Sequence, residues 1–204
     1  MPRAEMVAGA AANRHADAGR GRTFRARAVI IDLDGTLLDT AGDLAATANA
    51  IRAEFGMPPL PVEVIATYVG KGAGMLVHRA LTADLAGEVD SETHARGMRA
   101  FDRIYAMENG RTARPYPGVL EGLEAMRAKG LRLACVTNKP QAFSDALLRS
   151  SGLDGYFELV IGGDALERRK PDPLPMRHVA ERFAVPATET VAIGDSVNDV
   201  LAAR

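Results

Sequence analysis

Apolar residues recur along this chain in two registers. Four short runs, at 28–33, 131–136, 157–161 and 190–193, are nearly continuous, and each gives way to glycine or polar residues. Runs of this kind suit strands buried on both faces of a parallel sheet. The segments between them carry helical spacing instead, predicting helices over 119–129, 141–150 and 174–183. The Lys129-Gly130 pair is a helix stop placed just ahead of a strand. Strands alternating with helices predict an α/β fold with a doubly wound, Rossmann-like parallel sheet.

One interval breaks the alternation. From Asp32 to Thr137 is 105 residues, far more than a βα loop of about 2–6 residues and one helix require. It holds three amphipathic patterns. The first, 43–55, opens on Asp43 as an acidic cap and repeats apolar positions at Leu44, Ala48 and Ile51. The second, 72–85, presents Met75, Leu76, Leu81 and Leu85; the third, 91–107, presents Met98, Phe101, Ile104 and Tyr105. Pro58, Pro59 and Pro61 punctuate the interval and Arg114-Pro115-Tyr116-Pro117-Gly118 closes it. The pattern predicts an all-helical insertion over 43–113, hinged at both ends, in a core made of 27–42 and 114–204. Residues 1–26, rich in Ala, Gly and Arg, read as a disordered tail, with an Arg-rich targeting peptide as the sharper alternative.

Composition narrows the function classes. Twenty-five basic and 26 acidic residues leave a net charge of −1, which argues against a broad nucleic-acid-binding surface. The lone cysteine, Cys135, excludes an internal disulfide framework and fits a reducing, cytoplasmic setting. Its place in a strand run makes core packing its expected role. No apolar run approaches the ~20 residues that span a bilayer. The four histidines are scattered, without zinc-ligand spacing.

Four short motifs carry the chemistry, each at the carboxyl end of a different predicted strand. In Asp32-Leu33-Asp34-Gly35-Thr36, two carboxylates two residues apart on extended backbone face the same way. Close carboxylates repel unless a proton or cation offsets them, and a hard, oxygen-seeking divalent ion such as Mg²⁺ suits that task. A plain strand-to-turn junction is the bland reading of this pentapeptide alone. Thr137-Asn138 offers a hydroxyl and backbone amides for phosphoryl oxygens, or an ordinary turn. Lys170 is one of only four lysines among 25 basic residues, and reads as a point charge beside phosphate or as one more solvated charge. In Gly194-Asp195-Ser196-Val197-Asn198-Asp199, a helix beginning after Gly194 would send Asp195 and Asp199 to one side, unless Asp195 or Ser196 serves only as a helix cap.

Taken in order, these four motifs resemble those of the haloacid dehalogenase superfamily, from Arg27 onward. The insertion is similar to the cap of the subclass that carries it between the first two motifs. Asp39-Thr40, Tyr68-Val69-Gly70-Lys71-Gly72, Arg79-Ala80-Leu81 and Tyr116-Pro117-Gly118-Val119 resemble the phosphoglycolate phosphatase branch of that subclass. The resemblance implies a nucleophile at Asp32, a general acid and base at Asp34, and Mg²⁺ held by the Asp32 carboxylate, the Asp34 main-chain carbonyl and Asp195, with Asp199 in support. It implies phosphoryl binding by Thr137 and Asn138 and charge balance by Lys170. Dehalogenase members lack the second carboxylate of the first motif, so Asp34 favours phosphoryl transfer to water. The expected partner is a small phosphorylated substrate, with no nucleic acid or membrane, handled by a monomer or homodimer. Lys71 and Arg79 are the expected sensors of a substrate carboxylate. A phosphomutase, another sugar- or nucleotide-phosphate hydrolase, or a noncatalytic binding domain stay open as alternatives. Superfamily members continue past the helix that follows Asp199 with a further strand and helix. The expectation here is therefore an uncovered sheet edge and poor solubility.

Overall fold

A computed structural model describes residues 25–204, so the segment read as a tail lies almost wholly outside the described residues. The elements run β1 (Ala28–Ile31), β2 (Leu38–Asp39), α1 (Ala41–Glu54), α2 (Val62–Ala66), α3 (Ala73–Thr82), α4 (Ser91–Glu108), β3 (Arg114–Pro115), α5 (Val119–Ala128), β4 (Arg132–Val136), α6 (Gln141–Ser150), β5 (Leu159–Ile161), α7 (Leu174–Phe183), β6 (Thr190–Ile193) and α8 (Val197–Ala202).

The main sheet is parallel, in the order β5-β4-β1-β6. Side chains alternate across it, which builds two cores from one set of strands. Val29, Ile31, Leu133 and Cys135 pack with Leu123 of α5 and Leu147 and Leu148 of α6. Ala28, Ile30, Ala134 and Val136 pack with Met176, Val179 and Phe183 of α7 and Ala202 of α8. Strand β1 is buried on both faces, as its unbroken apolar run requires. The chain leaves β1 toward β4 and β5, then crosses back to place β6 on the other side of β1. Open α/β sheets bind ligands at the carboxyl edge beside such a reversal. Cys135 is fully buried, and burial pushes its thiol well above the ordinary range.

The long interval folds as four helices, α1 to α4, around their own apolar cluster. Helix α1 lies along α4, with α2 and α3 completing the group. Leu44, Ala48, Ile51, Leu76, Leu81, Phe101, Ile104 and Tyr105 are buried there, while Leu85 and Met107 face solvent. Two features differ from the sequence expectation. The linkers into and out of the helical unit are tied to each other, because β2 and β3 pair antiparallel, Leu38 with Pro115 and Asp39 with Arg114.

Asp43 is not a helix cap either. Helix α1 starts at Ala41, and Asp43 is 1% exposed. Its carboxylate accepts from Gly110 N (2.8 Å), Thr112 N (2.7 Å) and Thr112 Oγ1 (2.6 Å). A charged acceptor taking three short bonds ties the exit of α4 back to the start of α1. Replacing Asp43 by Ala takes the acceptor from two part-buried amides and should lower unfolding free energy by about 1–3 kcal/mol. Urea titration measures this; a change below about 0.5 kcal/mol, the level of an ordinary surface substitution, would contradict the tie.

Candidate active site

The carboxyl ends of β1, β4 and β6 converge on one cleft. Asp32 follows the last residue of β1 and is buried. Its Oδ1 accepts from Leu33 N at 2.8 Å and lies 2.8 Å from Lys170 Nζ. The same ammonium donates to Asp199 Oδ1 (2.6 Å) and to the Val136 carbonyl at the end of β4 (2.6 Å). Three acceptors from three elements use all three hydrogens of Lys170. Burial alone would lower the Lys170 pKa, but Asp32 and Asp199 outweigh it and hold the group above its usual value.

Asp199 does two things at once. Its Oδ2 accepts from Ser196 N (3.1 Å) and Ser196 Oγ (2.6 Å), which secures the first turn of α8, while Oδ1 pairs with Lys170. Asp195 caps nothing; it stands at the solvent-facing mouth, where Thr36 Oγ1 donates to its Oδ1 at 3.3 Å. Oxygens of Asp32, Asp195 and Asp199 all lie within 4.8 Å of one another, the one such cluster of ligating side chains among the described residues. The backbone makes room for it. Gly35 adopts φ +83°, and a Cβ there would collide with the Asp195 carboxylate; a Cβ on Gly194 would collide with that of Asp199.

This donor set fits a hard divalent cation. It consists of oxygens only, and Lys170 is its one paired ammonium, so three formal negative charges meet one positive. The imbalance marks Asp32. Burial raises its carboxyl, Lys170 opposes this, and the charges of Asp199 and Asp34 add to the rise, leaving it at about 6. Partial desolvation and the Asp199 charge push Asp195 upward too.

Asp34 faces the other side of the cleft. Thr40 Oγ1 donates to its Oδ1 at 2.8 Å, and Lys139 Nζ reaches both oxygens, at 2.9 and 3.1 Å. Lys139 also donates to the hydroxyl of Tyr105 on α4 and stands 4.8 Å from that ring's centroid. Burial would lower Lys139, but Asp34 and Tyr105 raise it beyond its ordinary value. Sequence reasoning stopped at Thr137-Asn138 and missed Lys139. The signal was present, since Lys139 adjoins that motif and is one of the chain's four lysines.

The remaining expected residues divide. Thr137 is buried and lines the cleft; its Oγ1 accepts from Lys139 N, which leaves its own hydrogen free to donate. Asn138 also lines the cleft, but its side chain serves as a strut. Nδ2 donates to the carbonyls of Gly70 and Lys170, both at 2.9 Å, and Oδ1 is buried without a partner among the described residues. Asn198 Nδ2 donates to the same Gly70 carbonyl at 3.1 Å. Arg79 does not reach the cleft. It is 5% exposed, and its guanidinium is spent on the carbonyls of Leu85 and Tyr68. Lys71 is exposed and is not part of the cleft lining. Neither residue is placed to read a substrate carboxylate.

Between the two units the cleft narrows to a cavity of about 40 Å³, walled by Leu44, Val69, Leu76 and Phe101 opposite Asp32, Asp34, Thr137 and Lys139. On the solvent side Asp34, Thr40, Tyr116, Asp195 and Ser196 border a wider opening of about 180 Å³.

The chain is similar in sequence and fold to known proteins. The family profile of haloacid dehalogenase-like hydrolases matches residues 26–204. The phosphoglycolate phosphatase of Nitrosospira multiformis is 52% identical over 178 residues, which is 87% of this chain and 78% of that one. The phosphoglycolate phosphatase of Thiobacillus denitrificans is 47% identical over the same shares. The crystal structure of a predicted phosphoglycolate phosphatase from Haemophilus somnus superposes with a TM-score of 0.81 at 32% identity, covering 87% of this chain and 80% of that one.

The charge imbalance has a measurable consequence. The fold favours the neutral form of Asp32, so in metal-free protein this group costs stability as pH rises from about 4 through about 6. With chelator present, Asp32→Asn should unfold at higher urea than wild type at pH 7.5, and the gap should close as pH falls toward 4. A gap independent of pH, or of opposite sign, would refute this account of Asp32.

Proposed function

The chain belongs to the haloacid dehalogenase-like hydrolase family, and on that premise we propose that it is a Mg²⁺-dependent phosphatase that hydrolyses 2-phosphoglycolate through an aspartyl-phosphate. The observation that carries the reading is the second carboxylate of the first motif. Asp34 lines the same cleft as Asp32 and accepts from Thr40 Oγ1, which supports a role for it at the leaving oxygen. Halide displacement needs no such group, whereas expulsion of an alkoxide does.

Asp32 is the nucleophile. Its carboxylate forms a bond to phosphorus as the ester P–O bond breaks, and Asp34 delivers a proton to the departing alkoxide. Asp34 then takes a proton from the water that cleaves the aspartyl-phosphate, which returns Asp32 and releases inorganic phosphate. The free hydroxyl hydrogen of Thr137 is available to a phosphoryl oxygen. Lys170, fixed by Asp199 and the Val136 carbonyl, offsets charge at the nucleophile. Mg²⁺, held by Asp32, Asp195 and the Asp34 carbonyl, would supply charge neutralisation for the phosphoryl oxygens.

The four-helix unit acts as a cap. A 40 Å³ cavity holds little more than water, so the cap must part from the core to admit a phosphorylated acid and must close to exclude solvent. The contacts across the cleft are the polar ones of Gly70 with Asn138 and Asn198 and of Tyr105 with Lys139, together with the ring of Phe143 on α6 against Phe101 and Tyr105 on α4. No described helix is long and apolar enough to cross a membrane. The enzyme works in the cytoplasm as a monomer or homodimer.

Release of inorganic phosphate across a panel of small phosphomonoesters tests the assignment. Activity should be highest on 2-phosphoglycolate, should require Mg²⁺, and should vanish with chelator or in Asp32→Asn. Asp34→Asn should lose about 10²–10⁴-fold on alkyl phosphates and less on p-nitrophenyl phosphate, whose leaving group needs no proton. Return of an isomer without phosphate would make the chain a mutase. Full activity of Asp32→Asn would eliminate the covalent route.

A further inference from the structure

Resting on the proposed phosphatase reading, we infer that Lys139 is the specificity-determining residue, the cation that receives the second anionic group of the substrate. Two ammonium groups are buried at the site, and they are committed differently. Lys170 is enclosed by Asp32, Asp199 and the Val136 carbonyl, on the nucleophile side. Lys139 lies on the leaving-group side, with 3% of its side chain exposed, and its one charged partner is Asp34. Asp34 keeps a second support in Thr40 when Lys139 turns away. The other partner of Lys139 is neutral, the Tyr105 hydroxyl, whose ring flanks the ammonium.

Substrate geometry places the second anion here. The group that protonates the leaving oxygen must stand within about 3 Å of it. In a two-carbon phosphorylated acid the carboxylate sits on the carbon that bears that oxygen. The carboxylate is therefore brought to the side of Asp34 that Lys139 occupies, 2.9 Å from one Asp34 oxygen. Around that point Leu44, Val69, Leu76 and Phe101 are apolar, and Lys139 is the one cation of a lining that also presents the backbone of Gly72 and Ala73 at the start of α3. In such surroundings an ammonium is worth more to a carboxylate than the same pair in water. Arg79 is turned into the helical unit, Lys71 lies on the surface, and Arg169 approaches Gly72 from an exposed position. When the cap closes, Tyr105 on α4 and the Gly70 loop enclose Lys139 together with the bound carboxylate. Selection for the second charge and sealing of the site are thus one event.

The test compares kcat/KM for 2-phosphoglycolate with that for 2-hydroxyethyl phosphate, in which a neutral hydroxymethyl group replaces the carboxylate. Both expel an alkoxide, so both need Asp34 alike. Wild type should favour 2-phosphoglycolate, and Lys139→Met should reduce that preference by about 10- to 100-fold. An equal loss on both substrates means that Lys139 only positions Asp34, and overturns the inference. Should Lys139→Met fail to fold, Lys139→Gln serves instead; it keeps a hydrogen-bond donor but no charge, so the preference for 2-phosphoglycolate should fall by a similar factor, and an equal loss on both substrates overturns the inference. Wild type that does not favour 2-phosphoglycolate fails differently, by removing the substrate assignment itself.

Discussion

The site exists because one sheet edge tolerates more negative charge than its own cations can neutralise. Asp32, Asp34, Asp195 and Asp199 bring four formal charges to the ends of β1 and β6, and Lys139 and Lys170 return two. The remainder of two is the charge of one divalent cation. Buried charges of this density persist only when each is paired and hydrogen-bonded. The fold meets that condition with backbone as much as with side chains. Leu33 N and Ser196 N are aimed at carboxylates, and Gly35 and Gly194 remove the Cβ atoms that would occupy the same space. In the bare protein burial, with the charges of Asp199 and Asp34 added, still holds the Asp32 carboxyl above its ordinary value against the pull of Lys170.

The placement of contacts between the two units follows a division of labour. Near the linkers the ties are multiple: the β2–β3 pairing joins one linker to the other, three bonds to Asp43 close the helical unit on itself, and Asn109 Nδ2 donates to the Phe143 carbonyl of the core. Across the cleft they are single bonds to Gly70, the Tyr105–Lys139 contact and the packing of Phe143 against Phe101 and Tyr105. The buried core of the helical unit is drawn from residues 44–105 alone, so it does not depend on the contacts across the cleft.

What the sequence made legible followed from local pattern. The parallel strands were readable because burial on both faces leaves an unbroken apolar run, and Asp32, Thr137 and Asp195 were readable because each ends such a run. Asp199 followed from helical spacing after Gly194. The paired linkers were not readable: two residues in each of β2 and β3 are too few to show a period. Helix α2, five residues long, escaped for the same reason. Asp43 read as a helix cap and Arg79 as a carboxylate sensor because their partners appear only once the chain folds back. Asp43 bonds to residues 110 and 112, and Arg79 fills the carbonyls of Tyr68 and Leu85. Lys139 was hidden by distance, since Asp34 lies 105 positions earlier.

The scarcity of lysine becomes intelligible at this level. Arginine supplies 21 of the 25 basic residues, so lysine at a buried position asks for a chemical reason. Rarity alone is not that reason, because Lys71 and Lys129 are exposed. Burial separates the four. At Lys170 the acceptors come from the ends of β1 and β4 and from α8, and converge on a point; at Lys139 both oxygens of Asp34 and the Tyr105 hydroxyl do the same. A tetrahedral ammonium can satisfy acceptors that converge from separate directions. A guanidinium, flat and with its donors spread along two edges, suits one coplanar carboxylate and would push such acceptors apart. A compact cation also leaves room beside it, and at Lys139 that room opens onto the cavity between the two units. The same substitution of Arg for Lys would therefore do different damage at the two places. At position 170 it would dismantle the nucleophile's surroundings, and at position 139 it would fill space that the leaving group needs.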